Sequence, residues 1–98
     1  MVPAEMQLQR HTDSLGSWFS MRANERSRFW TEFYRLDLKS MFVRCQVIKP
    51  SPTFAKEREL STQTYYVVDV GYDVLAGPFT DVEEAKLAAL LLSLLDAV

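Results

Sequence analysis

Cysteine occurs once, histidine once and glycine three times in these 98 residues, and each scarcity closes off a class of function. With Cys45 alone, no intrachain disulfide can form, which argues against a scaffold built for an oxidising compartment. His11 would have to meet Cys45 or a carboxylate across the fold to make a nucleophilic pair, a triad or a metal cluster. Three glycines without a run leave no phosphate-cradling loop. The longest uninterrupted apolar stretch, residues 87–92, is far short of the ~20 residues a helical bilayer span needs. The first residues, MVPAEMQLQRHTDS, contain no apolar segment of the secretory kind. The expectation is a cytoplasmic protein that is not an enzyme and uses no metal or cofactor.

What is present suits a small core. Apolar residues make up 48% and aromatics 12%, too much for a disordered chain and enough for one domain. Charge is distributed unevenly. Residues 1–50 hold eight basic and five acidic groups, residues 51–98 three and eight, so the halves differ in sign beneath a net charge of −2. Such a chain can pair with itself or with a partner of either sign.

Residues 1–24 read as a loosely ordered segment ahead of a single domain at 25–98. Within that segment, Asp13 or Ser14 is a candidate cap for Leu15, Trp18, Phe19 and Arg22 at helical spacing. Residues 25–39 read as an amphipathic helix, because Phe29, Phe33 and Leu36 fall at i, i+4 and i+7. Residues 41–48 alternate with period two, Met41, Val43, Cys45 and Val47 on the apolar side. Prolines 50 and 52 stop that strand, and one or two helical turns are expected within residues 53–60.

Residues 64–79 read as a hairpin turning at Gly71-Tyr72, with Gly71 at positive φ and Val68 opposite Leu75. Thr80 and Glu83 have the spacing of a capping box for a closing helix. The expected fold is therefore α+β, in the order α-β-β-β-α, with a three-stranded antiparallel sheet carrying both helices on one face.

The closing helix has more leucine than one sheet face can cover. At 100° per residue, Lys86, Ala89, Ser93 and Asp96 make a narrow polar stripe, while Leu87, Leu90, Leu91, Leu92, Leu94, Leu95 and Val98 spread over roughly 200°, against the ~100° a surface helix needs. The helix at 25–39, a second copy or a foreign protein would have to cover the surplus. Leu87, Leu90, Leu91, Leu94 and Leu95 are accordingly the candidate partner-binding residues of a protein–protein interaction module: an adaptor, a small subunit, an inhibitor or a homodimer.

Two other constellations bear chemistry. Asp69 and Asp73 flank the hairpin turn, where carboxylates commonly bond to backbone amides. Arg28, Arg35 and Lys39 line one face of the expected helix at 25–39 and could follow a phosphate backbone, which makes nucleic-acid binding the alternative function.

The run EEAKLAALLLSLL, through Ala85, Lys86, Ala88, Ala89 and Leu94, resembles the final helix of the double-stranded-RNA-binding domain. That resemblance implies α-β-β-β-α order. Where the family opens this helix with a basic pair, Glu83 and Glu84 stand here. The resemblance therefore implies contact with protein, as in members of the family that have lost RNA binding. The hairpin-plus-helix ending also resembles small bacterial and phage proteins.

Overall fold

A computed structural model describes residues 9–13, 15–22, 28–36 and 45–96. Among the described residues, six strands form one antiparallel sheet in sequence order: β1 (Gln9–Asp13), β2 (Gly16–Arg22), β3 (Trp30–Leu36), β4 (Gln46–Pro50), β5 (Tyr65–Val68) and β6 (Val74–Phe79). Helix α1 (Pro52–Arg58) joins β4 to β5, and α2 (Val82–Asp96) follows β6. The three-stranded α-β-β-β-α expectation is thereby corrected: the chain is mostly sheet, and no described helix precedes the first strand.

The correction falls on residues 9–36. Residues 28–36, the described part of the helix expected at 25–39, are instead a bend at Arg28 and Phe29 followed by strand β3. The i, i+4, i+7 spacing that suggested a helix is shared by two sheet faces, because Phe33 packs in one core cluster and Leu36 in the other. Trp30, Thr31, Phe33 and Tyr34 favour extended backbone, where aromatic and β-branched side chains pack well.

Residues 16–22 likewise pair as β2 instead of winding into a helix. Asp13 accepts a bond from the Leu15 amide at 2.8 Å, and Gly16 takes φ +117°, closing the β1–β2 turn. Trp18 ends up with no exposed surface, so this N-terminal hairpin contributes one of the largest core residues.

Both faces of the sheet are covered in part. On one, Trp18, Leu36, Cys45, Val47 and Val67 pack with Ala85 and Ala89 of α2. On the other, Trp30, Phe33, Ile48, Tyr66 and Val68 pack with Phe54 of α1. Strand β4 therefore buries both Val47 and Ile48, whereas period two alone assigned it one apolar side. Helix α1 matches the turns expected between residues 53 and 60. Ser51 caps it by accepting the Phe54 amide at 3.1 Å, and Pro52 opens its first turn.

The hairpin at 64–79 forms in a different register. Val68 lies opposite Val74, Val67 opposite Ala76 and Tyr65 opposite Phe79. A five-residue turn replaces the two-residue one: the Asp69 amide donates to the Asp73 carbonyl, and the Asp69 side chain accepts the Gly71 and Asp73 amides. Tyr72, at φ +66°, takes the left-handed position expected of Gly71. Its ring stacks on Phe29 at 4.2 Å between centroids, and its hydroxyl accepts from Trp30 Nε1 at 3.3 Å. These tertiary contacts offset a backbone conformation disfavoured for a bulky residue. Gly77 is required by close approach, since a Cβ there would lie 2.7 Å from Tyr66 Cδ1.

Candidate functional site: the outer face of the C-terminal helix

Helix α2 is capped one residue later than the Thr80 box suggests. Asp81 accepts the Glu83 amide on its carboxylate at 3.0 Å and the Ala85 amide on its carbonyl at 3.3 Å. Glu83 and Glu84 in the first turn complement the positive end of the helix dipole.

The orientation of α2 inverts what side-chain polarity alone suggests. Its polar stripe faces the sheet: Ala85, Lys86, Ala89 and Ser93 are all buried. Alanine at 85 and 89 lets the helix approach the layer of Trp18, Val47 and Val67 closely. Lys86, 3% exposed, runs between aromatic rings, its ammonium 5.4 Å from the Trp18 centroid and 5.3 Å from that of Tyr34. The same ammonium donates to Asp13 Oδ2 at 3.2 Å and lies 3.8 Å from Glu83 Oε1. This arrangement satisfies a charge that would otherwise be costly to bury, and it fastens α2 to the β1–β2 hairpin.

The opposite face is leucine. Leu87, Leu91, Leu94 and Leu95 are 46%, 53%, 50% and 71% exposed. Leu90 and Leu92 lean back onto the core cluster and are half-buried. Of the five leucines singled out by sequence, four thus share an open stripe and Leu90 forms its shoulder. Val70, Val74 and Leu75 add exposed apolar surface on the β5–β6 hairpin.

A second cluster escaped sequence reasoning altogether. Glu32 accepts from the Tyr34 hydroxyl at 2.6 Å and from the Tyr65 hydroxyl at 3.4 Å, with Lys49 Nζ at 3.6 Å. Burial, followed by the Glu32 contacts, pushes both phenols above the ordinary tyrosine pKa. Glu32 and Tyr34 sit two apart on one strand, a signal visible only once β3 is recognised as a strand. The cluster is a carboxylate supplied with hydroxyl and ammonium donors.

The remaining candidates separate. Arg28 reaches Glu57 at 3.6 Å from the bend before β3, and Arg35 lies on β3 beside the Phe19 ring; Lys39 falls outside the described residues. The helical basic face on which they were to align does not form. Asp73 pairs with Arg58 at 3.7 Å while Asp69 bonds the turn. Cys45 is buried, and His11 lies on β1. Among the described residues, no group of three or more His, Cys, Asp or Glu could hold a metal ion, and no helix is long and apolar enough to cross a membrane. No family model, curated protein or solved structure matches the chain.

Proposed function

We propose that the protein is a protein–protein interaction module whose contact surface is the outer leucine face of α2. One observation carries the reading: four leucines of one helix stand about half exposed on the side away from their own sheet. Scattered apolar residues are normal on a protein surface, whereas a contiguous stripe marks a contact site. Rotating α2 to hide them would expose Ala85 and Ala89, break the Lys86–Asp13 pair and force leucines into space fitted to alanine.

Completing the burial of each leucine is worth on the order of 1 kcal/mol, about half the value of a full transfer from water. Four of them offer a few kcal/mol of drive to associate. Nucleic-acid binding has less to stand on. Arg35 and Arg10 flank Phe19 at 5.7 and 5.8 Å on neighbouring strands, but a stacking base would have to displace those guanidinium groups from the ring.

The test is substitution on the stripe. Leu91→Glu and Leu94→Glu are expected to leave the thermal unfolding midpoint of the monomer nearly unchanged, within about 0.5 kcal/mol, as surface substitutions do. They are also expected to abolish association. A loss of several kcal/mol in the monomer would assign the leucines to the core and end this reading.

A further inference from the structure

We draw no further inference here: the strongest candidate, the exposed leucine stripe on the outer face of α2, belongs to the site already described, and nothing in the structure shows what covers it.

Discussion

The two faces of α2 are built on opposite rules. The face toward the sheet carries the small and polar residues, Ala85, Lys86, Ala89 and Ser93, and the face toward solvent carries Leu87, Leu91, Leu94 and Leu95. The difference teaches that fit can override hydrophobic ranking in fixing a helix's rotation. The layer beneath α2 is already filled by Trp18, Leu36, Val47 and Val67, leaving room for methyl groups and for one extended stem. Close packing over that layer needs short side chains, so the longer ones turn outward. The inner face is not perfectly satisfied: Ser93 Oγ and Trp18 Nε1 are buried without a hydrogen-bond partner among the described residues.

The largest break in this comparison is expected from Lys86. Lys86→Ala removes the stem between the Trp18 and Tyr34 rings and leaves Asp13 without that ammonium. Removing one partner of a fully buried pair costs roughly 3–5 kcal/mol, and because Asp13 keeps some contact with water the expected loss is about 2–3 kcal/mol. Urea unfolding measures it. Lys86→Met restores the packing of the stem without the charge and is expected to recover part of the loss. Adding Asp13→Asn, which keeps the carbonyl that accepts the Leu15 amide, is expected to recover more. A loss below about 0.5 kcal/mol for Lys86→Ala would mean that the alanines alone fix the helix, since surface substitutions behave that way.

Ala89→Leu sharpens the same comparison from the packing side. It adds to the inner face the residue that crowds the outer one, and overpacking of this kind costs about 1–3 kcal/mol. Leu91→Ala, on the outer face, is expected to cost the monomer much less despite deleting more apolar surface. If Ala89→Leu is neutral, the layer under α2 has slack, and the rotation of the helix needs another cause.

The closing helix, its leucine surplus and the strands at β4 to β6 were legible in the sequence because each is a local pattern. Capping acids, Pro50 at the end of β4, Pro52 at the start of α1 and Tyr-Val alternation at β5 act within a few residues. Which face of α2 would turn inward was not legible, since it depends on Trp18, 68 positions before Lys86, already occupying the space below. The N-terminal half misled for a related reason. In β3, Phe33 and Leu36 are buried on opposite faces of the sheet, and an irregularity between Trp30 and Glu32 places Trp30 in the same cluster as Phe33, so burial at three-residue intervals mimics the period of a helix. The Glu32 cluster could not be found before β3 was known to be a strand.

That cluster supplies the smallest expected effect, and it extends the inner face of α2 along the sheet, since Tyr34 touches both Lys86 and Glu32. Tyr34 and Tyr65 have their pKa values raised above the ordinary 10.0 by burial and by the Glu32 carboxylate. The folded state therefore binds the phenolic proton more tightly than the unfolded chain does. Their contribution is fully present below pH ~10 and is lost as pH rises through the unfolded value toward the raised folded one. Tyr34→Phe is expected to cost about 1 kcal/mol at neutral pH, toward the low end for a bond to a charged acceptor, because Tyr65 and Lys49 still serve Glu32. Above pH ~10 the variant is expected to lose stability less steeply than the parent, since one of the two coupled phenols is gone. Urea midpoints between neutral pH and pH 11 would show the two curves converging. Parallel curves would mean that Tyr34 does not titrate with unfolding, and that the polar end of the inner face is held by Lys86 alone.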